Sequence, residues 1–171
     1  MNGYTTGNVV ATTATSFTGT ISDLNTLYAA STSSGNGVSG LGSEAATVTD
    51  SSVSASDLNT LNTKTNYNIT VNATTISGSL SDLNTLYGAK ASNGDATTDG
   101  FTGLGSENVT ITDQGASGAG NGVSVSDLNT LNGYTTGNVN AGTITFLEGQ
   151  ISDLNTAYAC LLYTSDAADD Q

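Results

Sequence analysis

The chain contains no histidine, no proline and no tryptophan, one cysteine, and only two cationic side chains, Lys64 and Lys90, among 171 residues. Each shortage excludes something. Without histidine there is no imidazole to act as general base, zinc ligand or triad member. Two lysines against 15 acidic residues leave a formal charge of -13. That balance disfavours nucleic acid as a partner, because phosphate binding needs Lys and Arg. No apolar run approaches the ~20 residues of a membrane span. Met1 leads straight into polar residues, so no secretory signal opens the sequence. What remains is small and polar: Ser, Thr, Asn and Gly make up about half of the chain. The length allows one domain, or at most two small ones.

The order of these residues is repetitive. SDLNT occurs five times unchanged, beginning at Ser22, Ser56, Ser81, Ser126 and Ser152, in steps of 34, 25, 45 and 26 residues. Long and short steps alternate, so the true repeat is a pair of unlike coils. Three short coils end at Ser22, Ser81 and Ser152. They share a Gly three residues before that Ser (Gly19, Gly78, Gly149) and a Tyr six after it (Tyr28, Tyr87, Tyr158). Two long coils end at Ser56 and Ser126. Each carries GLGSE, at residues 40–44 and 103–107, and then ATVTD or VTITD. The second long coil is longer by 11 residues, all in Gly/Ser/Asn/Asp-rich patches such as QGASGAG, as surface loops on a fixed coil allow.

The apolar residues around the pentapeptide fall at steps of four, three and three (Phe17, Ile21, Leu24, Leu27; Ile76, Leu80, Leu83, Leu86), which is one helical face. Ser at its head is a good N-cap, and Asp beside it suits the positive end of the helix dipole. SDLNTLY therefore reads as a short helix beginning at Ser22, Ser56, Ser81, Ser126 or Ser152, with Leu24, Leu58, Leu83, Leu128 and Leu154 buried. GNVVA, ATVTD, NITVN, VTITD and GNVNA alternate β-branched residues and read as strands. One parallel strand and one short helix per coil, joined by right-handed crossovers, predict an α/β solenoid of about five coils. An all-β solenoid with SDLNT as a corner is the alternative, since Asn, Asp, Ser and Thr favour turns as much as caps. The leucine spacing favours the helix.

Stacked coils put identical residues into columns. Asp23, Asp57, Asp82, Asp127 and Asp153 would form a possible calcium edge, since hard cations take several carboxylate and carbonyl oxygens. The plainer account is a residue at each helix N-terminus, with the Asn column (Asn25, Asn59, Asn84, Asn129, Asn155) bonding to backbone. No EF-hand or GGxGxD spacing occurs. Asn93, Asp95 and Asp99 form the nearest local acidic cluster, in a Gly-rich loop. GLGSE lacks the GK[ST] of a phosphate cradle and reads as a tight turn with Leu41 or Leu104 inward. Glu44 and Glu107 would pair only if their coils adjoined, and a short coil lies between them. Tyr4 and Tyr134 are the aromatic candidates for a carbohydrate surface. Asn68, Asn72 and Asn108 fit Asn-x-Ser/Thr, a pattern that arises freely in so Asn/Thr-rich a chain. The recurrent acids belong to the repeat itself, so no convergent carboxylate pair of a glycosidase stands out. No cofactor is expected.

Two resemblances sit on these residues. VNA (Val71–Ala73, Val139–Ala141), TISGSLSDLNTLY (Thr75–Tyr87), GLGSE and VTITD resemble the long repeat tracts of giant surface or secreted proteins of marine cyanobacteria, of the haemolysin-type calcium-binding kind. The resemblance covers residues 1–159 and implies a non-catalytic, extracellular or cell-surface module, structural or adhesive, whose partners are neighbouring repeats and, on the alternative reading, calcium or surface glycans. After Tyr158 the pattern breaks. CLLYTSDAADD, Cys160 to Asp170, resembles the conceptual translation of a transposon-end adapter used in sequencing libraries. Residues 160–171 are accordingly expected to be a non-native tail on a 1–159 repeat fragment, with the reading frame cut inside a coil at both ends.

Overall fold

Every SDLNT lies inside a short helix, and that helix opens on the apolar residue before the pentapeptide. The structure, a computed structural model, describes residues 6–31, 37–90 and 100–161. The helices are α1 (Ile21–Ala29), α2 (Ala55–Asn62), α3 (Leu80–Gly88), α4 (Val125–Tyr134) and α5 (Ile151–Leu161). The strands before α1 are β1 (Val9–Val10) and β2 (Ser16–Gly19); those before α2 are β3 (Val38–Ser39), β4 (Ala45–Val48) and β5 (Ser52–Ser54). Then come β6 (Asn68–Val71) and β7 (Thr75–Gly78) before α3, and β8 (Gly100–Thr102), β9 (Asn108–Ile111) and β10 (Val123–Ser124) before α4. β11 (Val139–Asn140) and β12 (Leu147–Glu148) precede α5. All pairing is parallel. The fold is the expected α/β solenoid of strands and short helices.

Two expectations about the elements need correction. A short coil holds two strands and a long coil three, rather than one each. The extra strands, such as SFTG and TISG, are short and Ser/Gly-rich, and parallel neighbours rather than their own propensity make them strands. The helices also start one residue before Ser22, Ser56, Ser81, Ser126 and Ser152. Their N-caps are Thr20, Ser54, Ser79 and Ser124, two residues upstream of the pentapeptide. Thr20, Ser79 and Ser124 accept the backbone N–H of Asp23, Asp82 and Asp127. A hydroxyl at that earlier position captures the N3 donor, and the Ser of SDLNT becomes the second helical residue.

The sheets step as the coils proceed. One sheet runs β2-β4-β6-β8 and another β11-β9-β7-β5, flanked by the pairs β1-β3 and β10-β12. A short coil therefore sets its first strand against the middle strand of the long coil before it and against the first strand of the long coil after it. Its second strand meets the third strand of the long coil before and the middle strand of the long coil after. Inward positions form ladders, Phe17–Ala46–Ile69–Phe101 in one sheet and Val53–Ile76–Val109–Val139 in the next. They pack against the helix leucines in one continuous core. Leu24, Leu58 and Leu83 are at most 2% exposed. Each such burial is worth about 1.5–3 kcal/mol. Leu128 and Leu154, expected to be buried, are only half-buried. α5 continues through Cys160 and Leu161, two residues into the segment expected to be foreign, while residues 162–171 lie outside those described.

Candidate functional site

The recurrent polar residues are the natural place to look for a site, and four sets of contacts account for most of them. The first is at the helix N-termini. Thr20 and Ser79 hydroxyls donate to the carboxylates of Asp23 and Asp82 at 2.8 and 2.7 Å while accepting their N–H groups. The Asp of the following TD phrase adds a second clamp. Asp50 accepts the N–H of Ile21 at 2.7 Å, and Asp113 that of Leu80 at 2.5 Å. Both carboxylates sit on helix N-terminal donors, where the macrodipole favours negative charge.

The second is the Asn column. Asn25, Asn59, Asn84 and Asn129 each donate from Nδ2 to the backbone carbonyl of the pentapeptide Asp in the next helix, Asp57, Asp82, Asp127 and Asp153, at 3.0–3.2 Å. All four helix–helix junctions use the same bond. The Thr of the pentapeptide turns inward to its own helix instead, donating to the Ser carbonyl one turn back in α2, α3, α4 and α5.

The third is a buried lock between unlike coils. The Tyr28 hydroxyl donates to Glu44 at 3.2 Å and the Tyr87 hydroxyl to Glu107 at 2.9 Å. The same carboxylates accept the N–H of Gly42 and Gly105, two residues back in GLGSE, at 2.8 Å. The glycines permit this tight return. Gly103, for instance, has φ +83°, and a Cβ there would collide with the Val71 carbonyl. Thr65 and Thr135, both buried, donate to the Glu44 and Glu107 carbonyls. Burial, and then the Glu44 charge, push the Tyr28 phenol up to about 12, and the same two causes raise Tyr87 beside Glu107. Tyr134 stacks on Tyr87 at 5.9 Å with the rings nearly parallel. In the sequence Tyr28, Tyr87, Glu44 and Glu107 stand as separate recurrences with nothing to join them. Thr65 and Thr135 were missed, although each stands four residues after the second leucine of its helix.

The fourth is a cavity of about 590 Å³ beside α3 and α4. It is lined by Asn84, Asp113, Asn121 and Asp127 with the hydroxyls of Ser81 and Thr85. The extra Gly-rich segment of the second long coil forms one wall. Glu148 of the last short coil holds that segment, accepting N–H groups from Gly120 and Gly122 at 2.7 and 3.3 Å.

Of the calcium-edge residues, Asp23, Asp57 and Asp127 are exposed and Asp82 and Asp153 half-buried, one on each helix. Among the described residues no three carboxylate or thiol side chains are grouped so as to hold a metal ion. Glu44 and Glu107 do not meet, and each faces its own Tyr. Leu104 is buried and Leu41 half-buried, as a tight GLGSE turn requires. Tyr134 is partly exposed, whereas Tyr4 and the Asn93, Asp95, Asp99 cluster lie outside the described residues. Asn68 is buried, and Asn72 and Asn108 are exposed. Among the described residues no helix is long and apolar enough to cross a membrane. Comparison with protein-family models, with curated proteins and with solved structures finds no match.

Proposed function

We propose that this chain is a non-catalytic structural repeat module, part of an extracellular or cell-surface rod to which adhesion is a secondary property. One observation carries the reading. Two of the recurrent polar residues, the pentapeptide Asn and the GLGSE Glu, form hydrogen bonds between one coil and the next. These side chains serve coil-to-coil geometry, and the equally recurrent Asp serves the N-terminus of its own helix in α1 and α3. The resemblance to cyanobacterial surface repeat tracts supports the location. The segment from Cys160 onward has no part in the module on this reading.

A second reading, a calcium- or carbohydrate-binding surface module, draws support from the polar cavity at Asp113 and Asp127. Its carboxylates, amides and hydroxyls suit a hard cation or a polyhydroxylated ligand. Thermal melts in the presence of calcium or EDTA, together with a glycan-array screen, separate the two. Melting that ignores calcium and an array without binders agree with the structural role. A calcium-dependent rise in Tm lost in Asp113→Asn, or a glycan bound at the cavity, would replace it.

A further inference from the structure

The trailing face of the last coil lacks, among the described residues, every partner that the two earlier short coils acquire from the coil after them. Tyr158 is 53% exposed, whereas Tyr28 and Tyr87 are 3% and 2% exposed. Ile151 is 73% exposed, against 8% for Ile21 and 6% for Leu80. In the two earlier short coils the difference is made by the following long coil. Its GLGSE glutamate takes the Tyr hydroxyl, and its TD aspartate takes the first helical N–H. Asn25 and Asn84 likewise find their carbonyl partner in the next helix.

The strands agree. The two four-stranded sheets are overlapping windows on one five-strand order: third strand of a long coil, second of a short, middle of a long, first of a short, first of a long. The β5 sheet stops at β11, one strand before that order is complete. β12 pairs only with β10 among the described residues and lacks the middle strand of a following long coil. The order closes at β8, where Phe101 pairs with β6 on one side and bridges to Lys90 on the other.

We propose, resting on the reading of residues 160–171 as a foreign tail, that this face is a socket for a long coil joined in sequence after Ala159. The coil that fits is a segment with G-L-G-S-E, T-D and S-D-L-N-T at the spacing of residues 40–60. Its glutamate would take the Tyr158 hydroxyl and its TD aspartate the Ile151 N–H. Its first two strands would add to β11 and β12. A second copy of the chain fits poorly. Both of its long coils are already held between short coils, and its leading face belongs to β1, β2 and α1, which carry no GLGSE turn for Tyr158. The socket exists whether or not the module is secreted or adhesive, so failure of either claim leaves the other standing.

The test appends the chain's own long coil. Residues 30–62 are placed directly after Ala159, in the position they occupy after Ala29. The extended chain should melt higher and gain one tyrosine titrating above the ordinary 10. Tyr158→Phe should lower Tm by about 3–8 °C in the extended chain and leave the original chain unchanged. Glu44→Gln made only in the appended coil should remove part of the same gain. An appended coil that stays unstructured, or a Tyr158→Phe effect equal in both chains, overturns the proposal. So does self-association of the original chain that buries Tyr158, which would assign the socket to a second copy.

Discussion

The Tyr87 hydroxyl donates to Glu107 across 2.9 Å, and neither side chain is more than 2% exposed. Twenty residues separate them in sequence, and they belong to coils of different kind. A buried carboxylate is tolerated only where its oxygens find donors, and here the phenol and the Gly105 N–H supply them. Glu107→Ala should leave both donors unpaired in a dry site and cost about 2–4 kcal/mol, while Tyr87→Phe costs about 1.5–3 kcal/mol. The double variant should lose less than the sum, because the two singles remove one shared interaction. Urea unfolding of the four chains gives the cycle. Additive losses would mean that the contact is incidental.

The same lock sets an alkaline limit. The fold raises Tyr28 to about 12 from the ordinary 10.0, first through burial and then through the Glu44 charge, so it favours the neutral phenol. A group whose pKa is higher folded than unfolded contributes stability that is complete below the unfolded value and lost as pH rises through the folded one. Stability should therefore be unaffected by these tyrosines up to about pH 10 and fall between about pH 10 and 12. Denaturation curves across that window, with tyrosine absorbance followed in parallel, check the sign. Tyr28→Phe should flatten the decline, and a decline equally steep in that variant would remove Tyr28 as a cause.

The position of the helix caps separates two substitutions that look alike in the sequence. Ser79 caps α3, and Ser81, the head of the pentapeptide, does not. Ser79→Ala should cost about 1 kcal/mol, and Ser81→Ala should stay within about 0.5 kcal/mol. Thermal melts of the two variants decide it. The reverse order would restore Ser81 as the cap.

Much of the architecture is legible in the pentapeptides and in the β-branched phrases. NITV and VTIT alternate plainly because Ile69, Val71, Val109 and Ile111 pack inward on one face with threonines between them. SFTG, SVS and TISG carry no such signal. They are strands because parallel neighbours offer backbone partners, β4 to SFTG, β7 to SVS, and β5 and β9 to TISG, which is tertiary information. The cap was misplaced because Ser-Asp is a strong N-terminal pair in itself. Thr20 and Ser79, right after the recurrent glycine, compete with Ser22 and Ser81 for the cap position and prevail because Ile21 and Leu80 must turn into the core as the first helical residues. The Tyr–Glu lock was visible only as two separate recurrences. Joining them needs the coil register, which sequence spacing alone leaves open.

The Asn column offers the sharpest test of how the coils are held. Asn59 donates to the Asp82 carbonyl at 3.0 Å, bridging α2 and α3 in the middle of the stack. Asn155 occupies the equivalent place in α5 and is exposed. Asn59→Ala removes the interhelical donor, and the Asp82 carbonyl keeps only the N–H of its own helix, a loss of about 1 kcal/mol, while Asn155→Ala should change stability by less than about 0.5 kcal/mol. Asn59→Asp is more telling. The ionised carboxylate only accepts, so it faces the carbonyl with an oxygen where a donor stood, and the penalty should exceed that of alanine. Once protonated, the acid regains a donor. The carbonyl oxygen raises the pKa of the introduced acid in the folded chain, so the deficit relative to the original chain should be largest near neutral pH and shrink below about pH 4. Chemical denaturation of Asn59→Asp beside the original chain at pH 7 and at acid pH measures both. A deficit that stays constant with pH would show that the amide holds the helices by its volume and not by its hydrogen bond.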